Sequence, residues 1–271
     1  MRMEYETVVV GATCAGLGYA LSHPDGTLLV ESSSSVGGEF IEAMDPGVGW
    51  GAPAGLGPEA ESLRDELVTR NILDGDRLHL PAVAAVLFAR LKESRVAYRF
   101  WTDILATREQ GSGFELTLFD TGGRSTIRAS RILDTTTRAV SLVGEPTGLD
   151  RKAIGATLSC PNPPDEFPAS GSEAACALHR GRFPGEAFLV LDLPLEADWP
   201  AARRRLHGFW LSRPAALRDW HLASVGARLI ERPAWRESPS ERWTLLPSAR
   251  FENLLAAYDA GAAVRNEVPA H

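Results

Sequence analysis

The chain is 271 residues long, with 44% hydrophobic residues, 23% charged residues and a net charge of -7. This is globular composition and excludes a disordered or fibrous chain. The acidic balance argues against nucleic acid and anionic membranes as partners. Three widely spaced cysteines, Cys14, Cys160 and Cys176, predict neither a disulfide framework nor a metal site. No apolar run nears the ~20 residues of a membrane span, and the polar start lacks the features of a secretory leader. The expectation is a cytoplasmic protein.

The first strand is read at residues 5–10, where Val8-Val9-Val10 runs straight into glycine. A short helix of small and apolar residues follows, stopped by His23-Pro24-Asp25-Gly26. Residues 27–30 make a second buried strand with Glu31 at its end. Residues 32–57, rich in Ser, Gly and Pro, predict a long loop. Helices are predicted over 58–71 and 82–94, the second with Pro81 at its start. A strand is expected at 96–101. A three-stranded meander follows at 104–108, 114–119 and 125–129, then a further strand at 131–134. Residues 144–185 carry no clear pattern and mark a domain crossing. Beyond them come a strand at 187–192, helices at 199–211 and 214–220, an ambiguous stretch at 221–231, a short strand from 243 and a closing helix over 251–264.

Gly11-x-Thr13-x-x-Gly16 sits between a strand and a helix. This is the dinucleotide fingerprint with its middle glycine replaced. The first glycine permits the tight turn and the last lets helix approach strand. The helix N-terminus then offers free N–H groups to a pyrophosphate. Glu31 lies 20 residues after Gly11, where an acid accepts hydrogen bonds from an adenosine ribose.

With these motifs the chain resembles the FAD-dependent oxidoreductases of the glutathione-reductase-type fold. Glu31 followed by Gly37-Gly38 resembles that family's acid and Gly-Gly pair, and residues 96–104 its adenine-receiving segment, with Ile104 at the contact. Residues 132–137 resemble the family's second strand-and-turn signature, and Leu246-Pro247-Ser248-Ala249 with the last helix its flavin-contacting end. The resemblance covers residues 5–40, 80–140 and 243–265. It implies an α/β fold: a Rossmann-like FAD-binding parallel sheet with an antiparallel meander and an inserted α+β substrate domain. The FAD-binding parts would be residues 1–144 and 243–271, and the substrate domain 145–242. The FAD-binding residues it implies are Gly11, Ala12, Thr13, Cys14, Ala15, Gly16, Glu31, Ser32, Gly37, Gly38, Glu39, Ile104, Thr136, Ser248, Asn253 and Leu254. Asn253 would cap a helix aimed at the flavin's carbonyl end.

Three positions depart from the pattern: Thr13 and Thr137 replace glycines, and Ser248 stands where an aspartate is usual. Thr13 either pushes the cofactor outward or bonds a phosphate oxygen. No second phosphate fingerprint appears, so no separate NAD(P)H domain is expected. The function expected is an FAD-dependent oxidoreductase acting on a small molecule. The alternatives are a non-catalytic dinucleotide-binding protein on the same scaffold and, ranked lower, a thiazole-synthase-like nucleotide-transforming enzyme. No catalytic residue is assigned. His79, His179, His207 and His221 are the acid–base candidates, with His221 favoured. Trp199, Trp210, Trp220, Trp235 and Trp243 are read as core or as stacking platforms, and Arg203-Arg204-Arg205 as a solvated face. The oligomeric state stays open.

Overall fold

The computed structural model describes residues 3–50, 55–168 and 176–265. In chain order the elements are β1 (Met3–Val10), α1 (Cys14–Ser22), β2 (Thr27–Val30), α2 (Pro58–Thr69), β3 (Leu73–Asp74), β4 (Arg77–Leu78), α3 (Leu80–Glu93), β5 (Ala97–Arg99), β6 (Asp103–Gln110), β7 (Gly113–Asp120) and β8 (Gly123–Asp134). Then follow β9 (Leu149–Ser159), β10 (Cys176–Arg180), β11 (Glu186–Leu193), α4 (Trp199–Leu211), β12 (His221–Val225), β13 (Ile230–Pro233), β14 (Trp243–Leu245) and α5 (Leu254–Ala262).

The fold is α/β. β1 lies at the centre of a parallel layer, with Val8 opposite Leu28 of β2 and Ile132 of β8. β5 extends the layer beyond β2, and β14 pairs in parallel with the second half of β8. The first half of β8 pairs antiparallel with β7, which pairs with β6 to complete the meander. The valines of β1 alternate between two apolar cores. Val9 faces the helices with Leu17 and Tyr258, while Val8 and Val10 face the side of Phe114, Leu116 and Ile132. α1 is buried from Cys14 to Ala20, so it shows no polar stripe.

The second sheet is antiparallel, in the order β10-β11-β9-β12 with β13 also on β9, and is drawn from residues 149–233. It therefore enters between β8 and β14 of the first sheet. α4 covers one face through Ala202 and Leu206. Gly155 of β9 lies close against the loop from the first layer, where a β-carbon would stand 2.1 Å from the Ala43 carbonyl oxygen.

Several elements differ from the sequence reading. The strands expected at 125–129 and 131–134 are one strand, β8, kept continuous because it changes partner from β7 to β14 along its length. The unpatterned stretch 144–185 contains β9, the central strand of the second sheet. Its Asp150-Arg151-Lys152 start masks the buried run that follows. The ambiguous stretch 221–231 is two strands that both pair with β9. β5 is shorter than expected because Trp101 adopts a positive φ of 52°. The helix expected at 214–220 is a 3-10 turn, Ala215–Leu217. The last helix starts at Leu254, after another 3-10 turn at Ser248–Arg250. Among the described residues, no helix is long and apolar enough to cross a membrane.

Candidate functional site

The site is built around the start of α1. Gly11 turns the chain with φ +99°, and a β-carbon at Gly16 would stand 2.2 Å from the Gly11 carbonyl oxygen. These are the close approaches the fingerprint glycines permit. Thr13 is the N-cap residue of α1. Its hydroxyl accepts the Gly16 N–H at 3.0 Å and donates to Thr135 Oγ1 at 2.7 Å. Thr135 in turn donates to the Val10 carbonyl at 3.0 Å. The Thr13 side chain is thus turned into the fold as a helix cap.

Glu31, at the end of β2, is buried. Its Oε2 accepts the Ala12 N–H at 2.9 Å, and its Oε1 accepts the backbone N–H and hydroxyl of Ser33 at 2.9 and 2.6 Å. Gly37, with φ +60°, donates to the Ala12 carbonyl at 2.8 Å and brings the chain past the α1 N-terminus. Glu39 then arrives on the helix start. Its Oε1 accepts the Cys14 N–H at 2.7 Å and the Ser248 hydroxyl at 2.5 Å. Ser248 also accepts the Ala15 N–H at 3.1 Å. The N–H groups of Cys14, Ala15 and Gly16 therefore all have acceptors within the chain. Burial pushes the Glu39 carboxyl above its ordinary pKa, against the opposing hydrogen bonds from Ser248 and Cys14. Burial, then the Glu39 charge, pushes the Cys14 thiol well above its usual 9.0, so Cys14 is a buried packing residue rather than a reactive thiolate.

A cavity of about 510 Å³ opens beside this corner. Of the sequence-derived residues, Gly11, Ala12, Thr13, Glu31, Ser32, Gly38, Glu39, Ile104 and Thr136 line it. Cys14, Ala15, Gly16 and Gly37 are buried around it without being among its lining residues. The opposite wall comes from the second sheet and α4: Trp199, Arg228 and Glu231. Arg138, from the turn after β8, forms a two-bond ion pair with Glu231 at 2.9 and 3.1 Å. Arg228 binds Glu42 at 2.5 Å and the Ser33 hydroxyl at 2.9 Å. Both arginines are thus committed to groups of the chain. No local pattern announced Arg138, Arg228 or Glu231, because the pairs that define them join remote segments. Asp134, beneath the turn, accepts from Ser141 at 2.7 Å and from Thr136 at 2.9 and 2.5 Å, and burial raises its pKa.

The start of α5 lies elsewhere. Asn253 caps it by accepting the Ala256 N–H at 2.9 Å, and its amide donates to the Val48 carbonyl at 2.8 Å. Gly47 lies against Glu252 and Asn253, where a β-carbon would come within 2.3 Å of the Glu252 carbonyl oxygen. Residues 47–48 therefore cover this helix end, and Ser248, Asn253 and Leu254 do not line the cavity.

The acid–base candidates are scattered. His79 bonds Glu186 at 2.6 Å. Burial lowers the pKa of His179, which lies near Asp45 and Arg151. His207 and His221 are exposed. Cys160 follows Ser159, which pairs with Glu186, whereas Cys176 pairs with Leu191. Five residues of β11 separate these levels, about 17 Å, so the two cysteines are not a redox pair. Trp220 is core and Trp235 is exposed, while Trp243 donates to Ser141 at 2.9 Å. Trp210 packs against the second-sheet core and under Arg213. Arg203, Arg204 and Arg205 form an exposed face. Among the described residues no group of His, Cys, Asp and Glu is placed to hold a metal.

No protein-family model matches the chain, and neither does any curated protein. Solved structures do. The p-nitrophenol 4-monooxygenase of Pseudomonas putida DLL-E4 matches at 15% identity and a TM-score of 0.58, over 90% of this chain and 72% of that one. An aklavinone-11 hydroxylase in a ternary complex with FAD and aklavinone matches at 18% and 0.62, over 96% and 61%. A flavin-dependent monooxygenase in complex with FAD and substrate matches at 16% and 0.57, over 94% and 56%. The chain has the fold of these monooxygenases and hydroxylases. It spans about three-fifths of the length of the last two. These matches support an FAD-binding oxidoreductase fold and do not single out the glutathione-reductase type that the motifs resemble.

The residues present fit FAD in part. An adenosine end would meet this cavity, the Glu31 carboxylate and the edge at Thr102–Ile104. The diphosphate end does not fit while Glu39, Ser248 and Thr13 hold the donors of α1.

Proposed function

We propose that the chain is an FAD-dependent oxidoreductase of a small molecule and that it receives FAD by its adenosine end. The observation that carries this reading is the meeting of Glu31, the Gly11–Thr13 turn and Ile104 in one 510 Å³ cavity. A carboxylate has room for about four hydrogen bonds, and Glu31 takes three from Ala12 and Ser33. It keeps acceptor capacity for a ribose hydroxyl. The FAD complexes among the similar folds support the same cofactor. When bound, FAD supplies hydride or electron transfer. The protein's part is to hold the nucleotide and to place residues 145–242 as the substrate-covering region.

A second reading, a non-catalytic nucleotide-binding protein on this scaffold, is favoured by the packing of Gly47 and Val48 on the start of α5. The nucleotide-transforming alternative gains nothing from Cys14, whose thiol is buried. The deciding experiment is the visible absorption spectrum of the purified protein before and after incubation with FAD and re-isolation. A retained flavin band that bleaches with a reductant and recovers in air supports the oxidoreductase. A colourless protein that still binds adenosine supports the second reading. A protein that binds neither overturns both.

A further inference from the structure

The first turn of a helix presents unpaired N–H groups and the positive end of the helix dipole, which is why nucleotide folds seat phosphate there. In this chain that seat is taken. Glu39 holds the Cys14 N–H at 2.7 Å and the Ser248 hydroxyl at 2.5 Å through a single oxygen. Its other oxygen, Oε2, is buried with no hydrogen-bond partner among the described residues, and Glu39 is one of the residues at the cavity. Ser248 holds Ala15 and Thr13 holds Gly16. The two arginines at the cavity are bound to Glu231 and Glu42. Arg228 also lies 3.9 Å from Glu31, and Lys152 shares Glu231 with Arg138, so both arginines already face carboxylates of the chain. A Cys14 N–H already taken by Glu39 cannot also take a phosphate oxygen, so the Glu39 side chain in this position and a diphosphate exclude each other.

We propose that Glu39 is the built-in occupant of the diphosphate subsite and the residue that sets ligand selectivity. With Glu39 on the α1 N-terminus, the cavity accepts an uncharged adenosine-class nucleoside. A diphosphate-linked dinucleotide is seated only after the Glu39 side chain leaves Cys14. The proposal rests on the reading that this cavity takes the adenosine end of a nucleotide.

The test is calorimetric titration of the full chain with adenosine, ADP and FAD, comparing wild type with Glu39→Ala and Glu39→Gln. The expected result is FAD and ADP binding at least about tenfold tighter to Glu39→Ala relative to adenosine, which corresponds to ~1.4 kcal/mol. Glu39→Gln should lie between, since it loses the charge but keeps an oxygen to accept from Cys14. If Glu39→Ala does not fold, Glu39→Gln decides alone: tighter FAD binding than wild type supports the proposal. Equal FAD affinity in wild type and variants, with adenosine bound by all, overturns the role of Glu39 and leaves the nucleotide cavity standing. If no variant binds adenosine, ADP or FAD, the cavity reading itself falls, and the proposal with it.

Discussion

Gly18 of α1 and Tyr258 of α5 are in direct backbone contact: a β-carbon at position 18 would stand 1.9 Å from the Tyr258 carbonyl oxygen. The contact is reciprocal, because a β-carbon at Gly261 would stand 1.9 Å from the Ala15 carbonyl oxygen. Backbone cannot swing aside as a flexible side chain does, so the helices must separate to admit a methyl group. Gly18→Ala and Gly261→Ala should each cost about 3 kcal/mol or more, read as a lowered thermal midpoint. Because both substitutions force the same helices apart, the double variant should cost less than the sum of the two.

Ser248 is fully buried and serves two partners, Ala15 and Glu39. Ser248→Ala leaves a buried N–H without an acceptor and removes a donor from a buried carboxylate. A loss of about 1–3 kcal/mol in unfolding free energy is expected, measured by denaturant titration. A loss near zero would mean that water or another side chain replaces the hydroxyl.

Arg138 and Glu231 tie the turn after β8 to β13 across the cavity. Their side chains are 39% and 23% exposed, so solvent screens much of the attraction. Arg138→Ala should cost only about 1 kcal/mol. Part of that should vanish in high salt. Unfolding titrations at low and high ionic strength check both statements.

His179 gives a pH prediction with a definite sign. Burial lowers its pKa in the fold below the ordinary 6.5. The unfolded chain therefore binds more protons in the interval between the lowered value and 6.5, and stability rises with pH across it. As pH falls below 6.5 the wild type loses this contribution. Asp45 faces His179, and burial raises its pKa, which gives a slope of opposite sign. Comparison with His179→Gln isolates the histidine. The midpoint difference between variant and wild type should move in the variant's favour as pH falls below 6.5. A difference that stays flat refutes the assignment.

The meander, the helices at 58–69 and 80–93 and the β1–turn–α1–β2 unit were legible along the chain. Their signals are local: a β-branched run, a glycine, a proline at a helix start, an acid after a strand. β9 was not, because a strand buried by its neighbours on both sides needs no alternating pattern and this one begins with charged residues. The continuity of β8 likewise depends on β14, which arrives more than a hundred residues later.

The sequence by itself determined that a glycine turn, a short buried helix and Glu31 form a nucleotide-type corner, since each follows from backbone freedom and spacing within thirty residues. Only the tertiary structure decided what fills that corner. Glu39 reaches Cys14 from 25 residues away, and Ser248 reaches Ala15 from 233. Arg138 meets Glu231 across 93. Such bonds join a side chain to whatever backbone or partner the packed layers bring beside it, and no periodicity in a single chain records that arrangement. The same three N–H groups that make the motif recognisable are, in the folded molecule, held by the protein's own side chains.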